Sequence, residues 1–431
     1  MIKRLCIMMI LSLSTLLAAG QTGTWSGKLD VQGSKLSLVF HLDGENPTMD
    51  SPDQGAKGIP IQIEKTGTGG IKIRIPSLGA SYEGVWMFKQ IVGTFKQMNI
   101  SLPLTLTPGE DKPARPQTPT GPFPYGEEEV AFKNGETVLN GTLVLPEGYS
   151  HETPVIVMVT GSGIQNRDEE LFEHKPFAVI ADALARAGIA TLRYDDRGYG
   201  NKTVNPLGWT TDDFKEDAQA ALTMLRKRFD KVGVLGHSEG GTVAIMLAAE
   251  KQADFIISLA GMMISGAETL IYQNRFMLLE AGVPEETVST YCRLLKEAFD
   301  VTVKGGIMPN VDNQDLPEGL KQNFYAVLNQ IQMPYMRYFL SLDVRPVLDD
   351  VTCPVLAVNG TKDIQVEYST NLGALNDSLG DNVRNRIVSV DGVNHLFQHC
   401  TTGAISEYRE IEETISPKVL EMIVEWVSGL R

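Results

Sequence analysis

Val232-Gly233-Val234-Leu235 runs directly into Gly236-His237-Ser238-Glu239-Gly240, and the small and apolar residues 241–249 follow at once. A G-x-S-x-G between a strand and a helix predicts a sharp turn that strains the serine backbone and lifts its hydroxyl above the sheet edge. The glycines on either side carry no β-carbon, so strand and helix can pass closely. Ser238 is the candidate nucleophile.

Outward from this turn, apolar runs of strand length lie at 155–159, 189–192, 232–235, 255–259, 355–358 and 386–390. Helical patterns lie between or after them, at 176–187, 211–228 and 417–430. Nearly continuous apolar strands predict burial on both faces. Their alternation with helices predicts an α/β fold with a doubly wound, mostly parallel sheet. A hairpin around Lys133-Asn134-Gly135-Glu136 precedes it, with strands at 129–132 and 137–145. Residues 262–350 break the rhythm with helical patterns at 267–282, 285–301 and 316–339. This insertion is expected to cap the serine. Of its apolar residues, among them Phe276, Leu328, Met336 and Phe339, most should pack and a minority face substrate.

A serine hydroxyl needs a base within hydrogen-bond reach, and the base needs an orienting acid. Loops at the carboxyl ends of parallel strands converge on one side of a sheet. Asp363 lies on the loop after 355–358, and His395 on the loop after 386–390. The chain order of serine, acid and base is therefore complete. His237 adjoins the serine and is expected to point elsewhere. Glu367 and Asp391 are rivals for the acid with poorer positions. Negative charge on a tetrahedral oxygen calls for two backbone amides. One is assigned to Glu239, which follows the nucleophile. The other is assigned to the loop Gly161-Ser162-Gly163, with Ser162 as donor and Gly163 next in line. Arg167, Asp168, Asp195, Asp196 and Arg197 are expected to form an ion-pair network that locks two loops. His395 and His399 have i,i+4 spacing without a third ligand in any motif, and no metal or organic cofactor is expected.

Three segments carry a resemblance: Thr160-Gly161-Ser162-Gly163-Ile164-Gln165-Asn166-Arg167-Asp168, Arg193-Tyr194-Asp195-Asp196-Arg197-Gly198-Tyr199-Gly200, and Gly236-His237-Ser238-Glu239-Gly240-Gly241. From about Glu129 to the end the chain resembles the α/β-hydrolase superfamily. Within it, the chain is similar to secreted carboxylesterases related to the prolyl oligopeptidase-like and serine aminopeptidase-like groups. One departure is Thr160-Gly161, where the superfamily more often has His-Gly. The amide geometry survives that change, and any role of the histidine side chain is lost.

Residues 1–20 read as a cleavable signal peptide, with Lys3-Arg4 before an apolar stretch and Ala18-Ala19-Gly20 before Gln21. A secreted or periplasmic location is expected, with no later run suited to a membrane span. Net charge is −15, which disfavours nucleic acid and anionic lipid as partners. Cys292, Cys353 and Cys400 follow the signal, an odd number that leaves at least one thiol unpaired. Residues 21–107 alternate in period two between Gly- and Pro-rich turns and read as an all-β meander, curled into a barrel or sandwich. Trp25, Trp86 and Tyr82 are expected to fill its core. Residues 108–124 are proline-rich and read as a semi-rigid linker. Residues 125–431 form the catalytic domain.

The resulting expectation is a carboxylesterase that cleaves small-molecule esters through an acyl-enzyme. The alternative is a peptidase of the same fold, with Glu268, Glu280 or Asp343 anchoring a substrate amine. A third reading is an envelope- or glycan-binding protein with a degenerate hydrolase domain.

Overall fold

The computed structural model describes residues 23–430, except 32–33, 55, 67–68, 99, 111–112, 202 and 381. Residues 1–20, expected to be a signal peptide, lie outside the described residues. The chain divides into two compact units, Met1–Ala114 and Arg115–Arg431.

The first unit is a nine-stranded sheet whose neighbouring strands all run antiparallel. Its strands are β1 (Thr24–Val31), β2 (Ser34–His41), β3 (Thr48–Ser51), β4 (Ala56–Pro60), β5 (Gln62–Thr66), β6 (Gly70–Ile75), β7 (Ala80–Met87), β8 (Gln90–Gln97) and β9 (Ile100–Pro108). The order is β4-β3-β2-β1-β9-β8-β7-β6-β5, a meander in which the last strand returns beside the first. Alternation sets the faces: Ile71, Ile73 and Ile75 on β6 are buried, and Arg74 between them is exposed. Trp25 meets Trp86 edge-on at 5.0 Å, and the buried Tyr82 donates its hydroxyl to the Ile91 carbonyl at 2.9 Å. Residues 59–63 alternate in period two and do not form one strand. The run breaks at Ile61 after Pro60, and β4 and β5 become opposite edges of the sheet.

The second unit carries an eight-stranded mixed sheet, ordered β10-β11-β13-β12-β14-β15-β16-β17. These strands are β10 (Gly126–Asn134), β11 (Thr137–Leu145), β12 (Val155–Val159), β13 (Ala190–Tyr194), β14 (Val232–His237), β15 (Ile256–Leu259), β16 (Val355–Gly360) and β17 (Arg386–Val390). The β10–β11 hairpin joins antiparallel, and the other strands pair parallel with one another. Successive residues of β12 feed opposite cores: Val155, Val157 and Val159 one, Ile156 and Met158 the other.

The helices of this unit are α1 (Pro176–Arg186), α2 (Thr211–Leu225), α3 (Glu239–Ala249), α4 (Gly266–Glu280), α5 (Glu285–Lys304), α6 (Glu318–Gln330), α7 (Pro334–Ser341), α8 (Tyr368–Ser378), α9 (Ile405–Tyr408) and α10 (Pro417–Ser428). α2, α3 and α8 pack on the first face, α1 and α10 on the second. The insertion is built of α4 to α7. The pattern at 316–339 spans two helices, because proline has no amide proton and restricts the residue before it. Met333 is extended, and Pro334 opens α7.

Residues 108–124 read as a semi-rigid linker; from Arg115 on, the segment is held by hydrogen bonds. Arg115 donates to the carbonyls of Phe172, Arg409 and Ile411 at 2.7–3.0 Å. Gln117 accepts from the Thr414 amide and donates to the Ile415 carbonyl. Cys292, Cys353 and Cys400 are all free thiols.

Candidate active site

The turn between β14 and α3 is as tight as its glycines imply. A β-carbon on Gly236 would lie 1.9 Å from the Gly240 carbonyl oxygen, and one on Gly240 would lie 2.1 Å from that of Val159. Ser238 sits between them at φ 54°, ψ −120°, in the positive-φ half of backbone space that side chains disfavour. Its amide donates to the Leu259 carbonyl at 2.8 Å, which ties the turn to β15.

Asp363 follows β16 and is buried. Its Oδ1 accepts from the amides of Gln365 and Val366, and its Oδ2 lies 2.7 Å from His395 Nδ1. His395 follows β17 in a loop organised by Asn394, whose side-chain oxygen accepts from the amides of Leu396 and Gln398. Glu367 instead caps α8 through the amides of Ser369 and Thr370, and Asp391 accepts from Thr361. Neither rival acid reaches a histidine.

Ser238 and His395 line one cavity of about 620 Å³, together with Gly161, Ser162 and Gly163. Its apolar wall includes Met262, Leu270, Met336, Phe339, Val366 and Leu396. Of the insertion's apolar residues at helical spacing, Met336 and Phe339 reach the cavity, while Leu279, Tyr325 and Met333 are exposed. Met262, Leu270, Gln273 and Tyr335 also come from the insertion and were not singled out by the sequence pattern.

The loop beside Ser238 is held from below. The Gly161 amide donates to Glu169 Oε1 at 2.7 Å. Thr160 Oγ1 donates to the Asp196 carboxylate, and so does the Gln165 amide. Burial pushes the Asp196 carboxyl up to about 8, against the pull of those donors. Asp196 therefore takes hold of the position that differs from His-Gly. The neighbouring charges form a network: Arg167 with Asp195 and Glu129, Arg193 with Asp168, and Arg197 with Asp213 and Asp217.

His237 points away from the serine. Its Nδ1 faces Glu169 Oε1 at 2.9 Å and its Nε2 faces the His395 carbonyl at 2.9 Å. Sequence reasoning did not find Glu169, because nothing local marks a residue so far from the elbow. His399 pairs with Glu413 at the surface and does not join His395. Among the described residues no group of three or more His, Cys, Asp or Glu is placed to hold a metal ion.

The family described as "Serine aminopeptidase, S33" matches residues 173–398, just over half of the chain. The chain belongs to the serine aminopeptidase S33 family. The span matched to the S33 family contains Ser238, Glu239, Asp363 and His395, and begins after the Gly161–Gly163 loop. The chain is 29% identical over 279 residues to "Esterase EstD" of Thermotoga maritima, covering 63% of this chain and 60% of that protein. It is 26% identical over 177 residues to "Serine hydrolase BPHL" of Homo sapiens, covering 40% and 53%. The chain therefore spans little more than half the length of these curated relatives. Est1E from Butyrivibrio proteoclasticus is similar in structure at 19% identity, with a TM-score of 0.41 over 70% of this chain and 99% of that one.

Proposed function

We propose that this protein is a serine carboxylesterase acting on neutral, apolar acyl esters. The observation that carries the reading is the His395–Asp363 hydrogen bond of 2.7 Å on the same cavity as a strained, half-buried Ser238. Asp363 accepts from Nδ1, which leaves Nε2 of His395 as the base. Ser238 loses its proton to His395 and attacks the ester carbonyl. The amides of Glu239 and Ser162 hold the oxyanion. The Gly161 amide is committed to Glu169, which supports the next residue, Ser162, as donor. His395 then protonates the leaving alcohol, and water repeats the sequence to release the acid. A relative named as an esterase supports the choice of bond.

The peptidase alternative needs a carboxylate facing the substrate amine. Glu268 is committed to Ser265 and Arg345, and Asp343 to Arg345. Neither of these nor Glu280 lines the cavity. Glu169 does line it, but its charge is already met by the buried His237 ring; its Oε1 serves Gly161 and His237, and its Oε2 is buried with no hydrogen-bond partner among the described residues. The cavity therefore suits a neutral acyl group better than an ammonium.

Turnover of p-nitrophenyl acyl esters against aminoacyl-p-nitroanilides tests the reading. Ester cleavage lost in Ser238→Ala is expected. Faster anilide cleavage, or full activity in Ser238→Ala, would overturn it.

A further inference from the structure

The cavity that holds Ser238 has a second wall, built outside the insertion. Leu171 and Phe172 come from the turn before α1, and Ile405 and Tyr408 from α9. The Phe172 and Tyr408 rings meet edge-on, with centroids 6.0 Å apart. Leu171 and His174 exchange amide hydrogen bonds and close the turn, which leaves Phe172 and Glu173 at its tip. Both tip residues have positive φ, 51° and 67°, backbone that side chains disfavour. Closing the turn does not fix where its tip lies against Tyr408. That hold comes from the proline-rich segment. Arg115 Nη2 donates to the Phe172 carbonyl at 2.8 Å and to the Arg409 carbonyl at 2.7 Å. One nitrogen with two protons thus joins the residue that carries one ring to the residue that follows the other. Its Nη1 donates to the Ile411 carbonyl at 3.0 Å.

We propose that Arg115 is a positioning residue that sets this second wall and so determines how well the cavity grips a large ester. The proposal rests on the reading of Ser238 as the nucleophile of an esterase. A planar guanidinium can serve carbonyls of two segments at once, which a single ammonium does less well. Pro116 disfavours helical backbone at Arg115 and narrows the directions the side chain can take. Gln117 anchors the same segment two residues on, accepting from the Thr414 amide at 2.6 Å and donating to the Ile415 carbonyl at 2.8 Å. Neither Thr414 nor Ile415 lines the cavity of Ser238. The two anchors therefore have separate consequences: Gln117 fastens the segment, and Arg115 also fastens the wall. Arg115 acts through Phe172 and Tyr408 and needs no contact with the reacting atoms.

The test compares wild type, Arg115→Ala and Gln117→Ala on two esters. One is p-nitrophenyl octanoate, large enough to reach both walls, and the other is ethyl acetate, too small to do so. In Arg115→Ala the KM for the octanoate should rise by roughly 10-fold with kcat within about twofold, because wall contacts are made alike in the ground and transition states. The kcat/KM ratio of octanoate to ethyl acetate should fall by the same factor. Gln117→Ala should keep that ratio within about twofold of wild type even where its melting temperature drops, since it loosens the segment away from the cavity. An unchanged ratio in Arg115→Ala, an equal loss on both esters, or the same shift in Gln117→Ala would overturn the proposal. Where Arg115→Ala fails to fold, Arg115→Lys carries the same readouts, because it keeps the charge and loses the fork. Ser238→Ala separates the two claims. Retained ester cleavage there defeats the nucleophile, whereas an inactive Ser238→Ala beside an Arg115→Ala of wild-type selectivity defeats only the role of Arg115.

Discussion

His237 and Glu169 form a buried ion pair, Nδ1 to Oε1 at 2.9 Å. Both partners of the imidazole, the Glu169 carboxylate and the His395 carbonyl, only accept hydrogen bonds. Both ring nitrogens therefore donate, and the ring is held as imidazolium. Burial opposes the charged form, but Glu169 and the His395 carbonyl outweigh it and raise His237 above its ordinary value. Because Glu169 Oε1 also holds the Gly161 amide, one pair supports both the His395 loop and the Gly161–Gly163 loop.

Glu169→Gln should therefore destabilise the protein by about 3 kcal/mol, the usual scale for breaking a buried pair by removing one partner. The pH dependence has a definite sign. A raised histidine contributes stability that is fully present below its unfolded value of 6.5 and is lost as pH rises through the higher folded value. The difference between wild type and Glu169→Gln in urea melts should be larger at acid than at alkaline pH. A constant difference would mean that the pair is not ionised.

Asp196 has the opposite chemistry and the same sign. Its folded value of about 8 lies above the ordinary 3.8, so the native state keeps a proton that the unfolded chain releases. Stability should fall as pH rises from about 4 to about 8 and then level off. Asp196→Asn, which cannot ionise, should flatten that slope while keeping an acceptor for Thr160. Melting temperatures of both proteins across this range give the answer, and parallel curves would refute the assignment.

These two sites show where the sequence stops being informative. The elbow is legible because its requirements are local: two glycines, a strand before and a helix after. Asp363 and His395 are legible because each follows an apolar strand, and parallel strands deliver such loops to one end of the sheet. Their bond spans 32 positions, yet each partner lies on the loop that follows its own strand. Glu169 meets His237 across 68 positions, and Tyr335 meets Glu239 across 96. No periodicity announces either. The docking of Arg115 on the Ile411 carbonyl spans 296 positions, and a proline-rich composition, which reads as a semi-rigid linker, does not announce it. Breaks at Pro60 and Pro334 were written in the sequence, but apolar periodicity on both sides masked them.

The cavity wall makes a prediction about acyl length. Leu270 lies on α4, is only partly buried and faces the same space as Ser238. Leu270→Trp should fill part of the 620 Å³ without touching the hydrogen-bonded machinery. Activity on p-nitrophenyl acetate should change by less than about threefold, while the preference for octanoate over acetate drops by roughly 10-fold, since each buried methylene contributes about 0.8 kcal/mol. An equal loss on both esters would place the acyl chain elsewhere.

Strain at the elbow gives a prediction about stability alone. At φ 54° and ψ −120°, any residue with a β-carbon bears a cost of about 1–3 kcal/mol that glycine avoids. Glycine also loosens the unfolded chain, which opposes the gain by about 0.4–1 kcal/mol. The strain is the larger of the two, so Ser238→Gly should be more stable than Ser238→Ala by about 1 kcal/mol. The comparison is made between the two variants because both lack the hydroxyl, so its hydrogen bonds cancel. Equal stability in chemical denaturation would mean that the surrounding turn, and not the backbone of residue 238, bears the cost of presenting the serine.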